Sequence, residues 1–243
     1  MIRAMQDNLG EPITIDDMAR TAMFSKFHFS RMFQRVTGIS PGRFLSALRL
    51  QEAKRLLLTS SLTVADISHL VGYNSIGTFS SRFRMSVGVS PTTYRQYDGY
   101  VAPLDDHLRL HGQHSTVRGH VHHAPDSRPG HIVMGLFPDR IAQGMPIGHA
   151  TLARAGEFTI ADVPDGTWHL IARSVGADSA EVYVAAFGPF AVADGASHRA
   201  VDVWLRPRLI FDPPALLAQL DETMLVASAR VPGGAEEAAL PGA

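Results

Sequence analysis

Cysteine is absent from this chain of 243 residues. The chain therefore forms no disulfide bond, no cysteine-based zinc finger and no thiol redox centre. Thiol catalysis is excluded as well, and with it an alkyl-transfer repair enzyme, because that chemistry needs an acceptor cysteine. The composition fits a reducing compartment.

Long hydrophobic runs are also lacking. No uninterrupted apolar stretch approaches the roughly 20 residues that cross a bilayer. The opening residues MIRAMQDNLG lack the charged start and apolar centre of a signal peptide. We therefore expect a cytoplasmic protein without a membrane partner.

The net charge of −1 conceals an asymmetry along the chain. Residues 1–97 hold 12 Lys and Arg against 6 Asp and Glu, a net of +6. The remainder holds 10 basic against 17 acidic residues, a net of −7. A basic first part suits nucleic-acid binding, and an acidic second part would not compete for phosphate.

The basic part contains one pattern twice. SKFHFSRMFQRVTGISP begins at Ser25 and GTFSSRFRMSVGVSP begins at Gly77. A constant 50 residues separates the matched pairs Phe29/Phe79, Phe33/Phe83, Gly38/Gly88, Ser40/Ser90, Pro41/Pro91 and Phe44/Tyr94. Upstream the separation is 49, as between Thr14 and Thr63, so the second copy has one extra residue. A repeat of this size is one supersecondary unit used twice.

Each copy predicts two short helices joined by a turn. The first helix starts with capping-box spacing, at Thr14 and Asp17 or at Thr63 and Asp66. Its apolar stripe is Ile15, Met18, Ala19 and Ala22, or Val64, Ile67, Leu70 and Val71. The second helix begins after an N-cap serine, Ser25 or Ser75, and ends at Gly38 or Gly88. We expect it to bury Phe29, Met32, Phe33 and Val36, or Phe79, Phe83 and Val87.

Between the copies, RFLSALRLQEAKRLLLTS (from Arg43) predicts one longer helix. Its core face would be Phe44, Leu45, Leu48, Leu56 and Leu57, and its exposed residues Arg49, Lys54 and Arg55. Such a helix would hold the two units at a fixed separation.

Two capped helices with a short turn are typical of a helix-turn-helix, whose second helix can lie in a DNA major groove. An ordinary helical domain is the alternative for a single copy. Two copies, a linking helix and the basic charge favour DNA binding.

Residues 1–97 resemble the AraC/XylS family of bacterial transcription regulators. The resemblance rests on Met18-Ala19, Phe24-Ser25, His28-Phe29, Arg31, Phe33, Thr37-Gly38, Ser40-Pro41, Arg49, Ala53-Lys54-Arg55-Leu56-Leu57, Ile67, Val71-Gly72-Tyr73, Phe79, Arg82-Phe83, Gly88, Ser90-Pro91 and Tyr94-Arg95. It implies seven helices with two helix-turn-helix units, whose recognition helices enter adjacent major grooves of promoter DNA.

The resemblance implies that the first recognition helix presents Lys26, Phe27, Ser30, Arg31, Gln34 and Arg35. Arg31 suits a guanine edge, and Ser30 could read a base weakly. Phe27 either touches a thymine methyl or belongs to the core. We expect the other three to hold phosphates.

The second recognition helix would present smaller residues: Ser75, Ile76, Gly77, Thr78, Ser80 and Ser81, with charge only at Arg82 and Arg84. Small residues discriminate bases poorly. We therefore expect the first unit to read most of the sequence and the second to supply affinity and shape recognition.

After the helical part, seven short β-like runs begin at Thr116, His131, His149, Glu157, Thr167, Val182 and His198. Turn residues separate them, which is typical of a β-sandwich. In GEFTIADVPDGTWHLIA, Phe158 and Ile160 alternate inward before a VPDG turn, and Trp168, Leu170 and Ala172 alternate after it. Residues 115–207 resemble the prealbumin-like or carboxypeptidase regulatory-like sandwiches, which implies binding or dimerisation rather than catalysis.

Histidines and tryptophans of this part suggest a ligand site only weakly. His120 and His122 would share a strand face, near His123 and His131, but no spacing fixes a third metal ligand. Trp168 and Trp204 are expected in the core of the sandwich.

The predicted fold is α+β and multidomain: an all-α seven-helix double helix-turn-helix domain followed by an all-β sandwich of about seven strands. The domains would be residues 1–99 (DNA binding), 100–115 (His-rich linker), 116–208 (accessory sandwich) and 209–243 (Pro-rich tail with one short helix over ALLAQLDETMLVA and a disordered end).

We predict a sequence-specific DNA-binding transcription regulator, not an enzyme and without a cofactor or metal site. Its partner would be double-stranded promoter DNA, with the sandwich dimerising or contacting another protein such as RNA polymerase. The alternative is a regulator whose sandwich binds a small-molecule effector of unknown identity.

Overall fold

The computed structural model describes residues 1–99, 115–176, 181–193 and 199–217. Seven helices occupy residues 1–99: α1 (Ile2–Asp7), α2 (Ile15–Thr21), α3 (Lys26–Thr37), α4 (Pro41–Thr59), α5 (Val64–Leu70), α6 (Ile76–Val87) and α7 (Pro91–Gln96). The predicted linker lies outside the described residues except for its last residue, Ser115, which begins the first strand. The helix predicted in the tail lies outside them after Leu217, and residues 215–217 are not helical.

Side-chain caps begin six of the seven helices, because serine and threonine oxygens accept an otherwise unpaired backbone N–H of the first turn. These capping residues are Thr14, Ser25, Ser40, Thr63, Ser75 and Ser90. Both predicted capping boxes form. Helices α3 and α6 end at Gly38 (φ 80°) and Gly88 (φ 99°), a left-handed conformation that favours glycine.

Aromatic side chains form the core behind each recognition helix. Phe33 lies between Phe29 and Phe44, with ring centroids 5.5 and 5.4 Å apart. In the second unit Phe83 lies in the same way between Phe79 and Tyr94, at 5.7 and 5.6 Å. The repeat in the sequence is therefore a repeat in packing, and its predicted aromatic core is confirmed.

The predicted burial of Met32 and Val36 is wrong, since 38% and 54% of these side chains are exposed. The buried row of α3 is Phe29, Phe33 and Thr37, which lie four residues apart on one face. Thr37 takes the third place because its hydroxyl donates to the carbonyl oxygen of Phe33 at 2.9 Å. Leu70, predicted in the apolar stripe of α5, is exposed as well.

Helix α4 links the two units, as predicted, but two of its three expected exposed residues are not exposed. Arg49 is half-buried and donates to the carbonyl oxygens of Leu9 and Glu11, at 2.9 and 2.8 Å. Burial lowers the pKa of Arg49. Lys54 is 1% exposed, because residues of the distant C-terminal segment cover it. Arg55 is exposed and pairs with Glu52.

Eight strands follow within the described residues 115–207: β1 (Ser115–His123), β2 (Pro129–Phe137), β3 (His149–Leu152), β4 (Glu157–Val163), β5 (Gly166–Gly176), β6 (Val182–Val192), β7 (Arg199–Ala200) and β8 (Val203–Pro207). All seven predicted strand runs are confirmed, and the last is divided into β7 and β8. The chain is thus α+β.

Hydrogen bonds join the strands in one path, in the order β3-β2-β5-β6-β8-β1-β4, with β7 paired to β1. The β1–β8 and β1–β7 pairs are parallel, and the other pairs are antiparallel. One apolar core receives residues from both halves of this path, including Ile132 of β2 and Ile160 of β4. The two-sheet sandwich remains a prediction, since the pairing is a single mixed path.

The alternation predicted around the VPDG turn is confirmed. Phe158, Ile160, Leu170 and Ala172 are buried, and Trp168 packs on the core while its indole N–H donates to the carbonyl oxygen of Pro164 at 3.0 Å. The prediction that Trp204 fills the core is wrong, because 64% of it is exposed. Its strand neighbours Val203 and Leu205 point inward instead, and Trp204 stacks on His122 at 4.7 Å on the outer face.

Candidate nucleic-acid interface

The first helix-turn-helix unit is built from α2, a short turn and α3. Thr14 Oγ1 accepts the N–H of Asp17, and the Asp17 carboxylate accepts the N–H of Thr14 at 3.0 Å. The turn passes through Met23, which has a left-handed φ of 57°. Ser25 then caps α3 by accepting the N–H of His28. These bonds fix where α3 begins and which of its faces is exposed.

The second unit repeats this construction with one more residue in its turn. Thr63 and Asp66 form the same reciprocal cap, and Gly72 supplies the left-handed residue with a φ of 84°. Ser75 caps α6 by accepting the N–H of Thr78. The extra residue predicted from the change in spacing therefore lies in the turn, between Val71 and Ser75.

Both capping acids are held as carboxylates. Hydrogen bonds from the side chain and backbone of Thr14 lower the pKa of Asp17, and those of Thr63 lower the pKa of Asp66. A lowered carboxyl pKa means that the folded state favours the charged form. These charges also lie in the first turn of a helix, where the helix dipole favours a negative group.

The exposed face of α3 carries the predicted residues of the first unit. Lys26, Phe27, Arg31, Gln34 and Arg35 are exposed, and Ser30 is half-buried. Phe27 is 71% exposed, so it is not a core residue. The guanidinium of Arg31 lies 5.5 Å from the centre of its ring, a cation–π contact that limits the freedom of the arginine.

Two residues of this face are already engaged within the chain. Lys26 Nζ lies 3.0 Å from a carboxylate oxygen of Asp16, but both side chains are exposed and such pairs are weak. Ser30 donates its hydroxyl to the carbonyl oxygen of Lys26 at 2.8 Å. Ser30 can therefore still accept a hydrogen bond, whereas its donor is occupied.

The exposed face of α6 is smaller and more apolar. Ser75, Ile76, Thr78, Ser81, Arg82 and Arg84 are exposed, and Ser80 is half-buried. Sequence reasoning missed Met85, which is 73% exposed. Thr78, Ser81, Arg82 and Met85 follow helical spacing on one side, so helical periodicity could have identified it.

Comparison with known proteins bears on this helical part. The family model described as a helix-turn-helix domain matches residues 18–97, which end before β1. The transcriptional activator AarP of Providencia stuartii is 33% identical over 97 residues, covering 40% of this chain and 72% of AarP. The chain belongs to the AraC family. It is a DNA-binding transcription regulator of that family.

Other transcription regulators are similar over about the same length. The raffinose operon regulatory protein RafR of Pediococcus pentosaceus is 35% identical over 95 residues, which cover 39% of this chain but 34% of RafR. A solved AraC-type regulator from Chromobacterium violaceum is 28% identical and covers 42% of this chain and 90% of its own, with a TM-score of 0.39.

Metal binding and membrane crossing were both considered for the described residues. Among them, no group of three or more His, Asp or Glu side chains is arranged to hold a metal ion. His120, His122 and Trp204 form a stacked row instead, with His122 near Asp202 at 3.5 Å. No helix in the described part of this AraC-family chain is long and apolar enough to span a bilayer.

Proposed function

We propose that α3 and α6 enter two adjacent major grooves on one face of promoter DNA. One observation supports this most directly. Helix α3 packs its aromatic row on Phe44 of α4, and α6 packs its matching row on Tyr94 of α7. Each helix leaves the opposite face exposed, and matched residues are a constant 50 positions apart. Two different helices on one linker helix imply a site without two-fold symmetry.

We propose that the first unit reads bases. Arg31 suits a guanine edge because its planar fork matches O6 and N7, and Phe27, lying against it, suits a neighbouring thymine methyl. Ser30 contributes as an acceptor. Lys26, Gln34 and Arg35 are assigned to phosphates, which position the helix without reading sequence.

The second unit supplies affinity in this proposal. Its contact residues are Ser75, Ile76, Thr78, Ser80, Ser81, Arg82 and Arg84. Hydroxyl groups and small apolar side chains can follow the groove and touch methyl groups or phosphates. They discriminate among bases less than a bidentate arginine does.

The strand part, residues 116–208, is proposed to be an accessory sandwich that dimerises or contacts another protein. A strand path that encloses one core supports the sandwich architecture. Exposed Trp204, stacked on His122, supports the interaction role, because tryptophan is enriched at protein interfaces.

Selection of genomic DNA fragments by the full-length protein tests the proposal. An enriched asymmetric motif that spans two turns of one DNA face is expected. An inverted repeat would assign specificity to a dimer instead. Enrichment of no motif, at low salt where phosphate contacts are strongest, would contradict sequence-specific binding.

A further inference from the structure

We propose that residues 209–217 form a clasp, which ties the strand part to the DNA-binding helices and holds the two helix-turn-helix units in their binding arrangement. The inference rests on the proposed function, because it concerns how the units present α3 and α6 to DNA. These nine residues are called the clasp.

The start of the clasp is fixed to the strand part. Arg206 of β8 donates two hydrogen bonds to the Asp212 carboxylate, at 2.7 and 2.6 Å, and the N–H of Leu209 donates a third at 2.7 Å. Burial acts to raise the pKa of Asp212, but the bonds from Arg206 and Leu209 outweigh it and leave this pKa lowered. The carboxylate therefore stays charged and holds the turn.

The end of the clasp binds the loop between β2 and β3. The N–H groups of Leu216 and Leu217 both donate to the carbonyl oxygen of Ala142, at 2.9 and 3.0 Å. Leu217 also joins a small apolar cluster with Phe137 and Ile171 of strands β2 and β5. Clasp and loop thus form one layer on the strand part.

The other side of this layer contacts the helices. Leu216 of the clasp and Ile141 of the loop are buried within the core of the helical part. The carbonyl oxygens of Ala215 and Leu216 accept hydrogen bonds from Lys54 Nζ at 3.4 and 3.2 Å. The N–H of Gly144 donates to the carbonyl oxygen of Ser86 in α6 at 2.9 Å.

Lys54 ties the clasp to α4 through its ammonium group. This side chain is buried, and the carbonyl oxygens of Ala215 and Leu216 accept hydrogen bonds from it. Replacing Lys54 by methionine removes this donor from two buried acceptors, which is unfavourable. The substitution should therefore weaken the closed clasp.

The contacts connect the clasp to DNA binding. Lys54 lies near the middle of α4, the helix that separates the two units, and Ser86 lies near the end of α6, the second recognition helix. Holding both from one layer limits how α6 can shift relative to α3. A pre-organised pair of helices loses less freedom on binding and therefore binds more tightly.

Three full-length variants test the proposal: Leu216→Asp to open the clasp, Lys54→Met to loosen it, and Met145→Asp as a control at an exposed position of the loop that the clasp binds. Two quantities are measured, namely the rate of trypsin cleavage after Arg208, the residue immediately before the clasp, and the affinity for a selected DNA site. Leu216→Ala serves as a milder opening variant, and circular dichroism checks folding.

We expect Leu216→Asp to be cleaved faster and to bind DNA about tenfold more weakly, since pre-organisation is lost. Lys54→Met should also be cleaved faster and bind more weakly, to a smaller extent, because two hydrogen bonds to the clasp are lost. The control should match the parent. Faster cleavage of both opening variants with unchanged DNA affinity would overturn the coupling. Cleavage of Lys54→Met as fast as the parent would overturn the role of the lysine.

The same measurements distinguish a failure of the proposed DNA reading from a failure of the clasp contacts. If the parent chain enriched no DNA motif while Lys54→Met and Leu216→Asp still accelerated cleavage, DNA reading by α3 and α6 would be refuted. The clasp would then be only a structural lock, which also overturns its coupling to DNA.

Discussion

The two helix-turn-helix units have equivalent buried faces and different exposed faces. With the 50-residue shift, Phe29 and Phe33 correspond to Phe79 and Phe83, whereas Arg31 corresponds to Ser81. Arg82 corresponds to Met32. The comparison shows that the packing is repeated and the exposed chemistry is not, which is the basis of the different roles proposed for the two units.

The largest expected effect concerns the equivalent faces. Phe33→Ala and Phe83→Ala should each lower the free energy of unfolding by about 3–5 kcal/mol, because each removes the middle ring of an aromatic row and leaves a cavity. Urea unfolding of the full chain measures both. A cost in one unit that is several-fold smaller than in the other would show that the two buried faces are not equivalent.

The exposed faces should respond differently. Arg31→Ala should lose about 1–3 kcal/mol of discrimination at one base pair, because it removes the proposed bidentate donor. Affinity measured on the selected site and on its single-base variants checks this.

Arg82→Ala is the matched control for Arg31→Ala. It should weaken binding to all sequences alike and reduce the salt dependence, as loss of a phosphate contact does. A loss of discrimination at Arg82 equal to that at Arg31 would remove the proposed division of roles.

Gly77 is a further difference between the exposed faces of α3 and α6, because it stands where the first unit has Phe27. A methyl group at Gly77 would meet only Ser75 Oγ, at 3.7 Å. Gly77→Ala should therefore stabilise the full chain by about 0.5–1 kcal/mol through helix propensity. Thermal unfolding checks the change, and a lower midpoint would mean that the flexibility of this turn is needed in the fold.

The smallest effect concerns the caps. Because the pKa values of Asp17 and Asp66 are lowered in the folded state, their stabilisation is present above the ordinary carboxyl pKa of about 3.9. It is lost as pH falls through the folded values. The double variant Asp17→Asn with Asp66→Asn should flatten the decrease in unfolding midpoint below about pH 4. If the unfolding midpoint of the variant decreased with acid as much as that of the parent, the decrease would be due to other carboxyl groups.

Local features of the fold could be predicted from the sequence. Caps, terminal glycines and the alternation of Phe158 with Ile160 depend on residues close together in the chain, so their spacing determines them. The exposed residues named for α3 came from the family resemblance, whereas apolar spacing alone wrongly placed Met32 and Val36 in the core.

Features that depend on distant segments could not be predicted. Lys54 was expected in water because lysine is rarely buried, and only the fold brings the carbonyl groups of Ala215 and Leu216 onto it. Trp204 was expected inside because of its size. Its exposure follows from the register of β8 against β1, where Val203 and Leu205 point inward.

The pairing of Lys54 with Ala215 across 161 residues has a consequence for the order of synthesis. At roughly 5–20 residues per second, the ribosome makes Ala215 about 8–30 s after Lys54. The helical part therefore leaves the ribosome while the lysine is still hydrated and the Leu216 position in its core is still unfilled. Its packing is therefore completed late, only after Leu216 has been made.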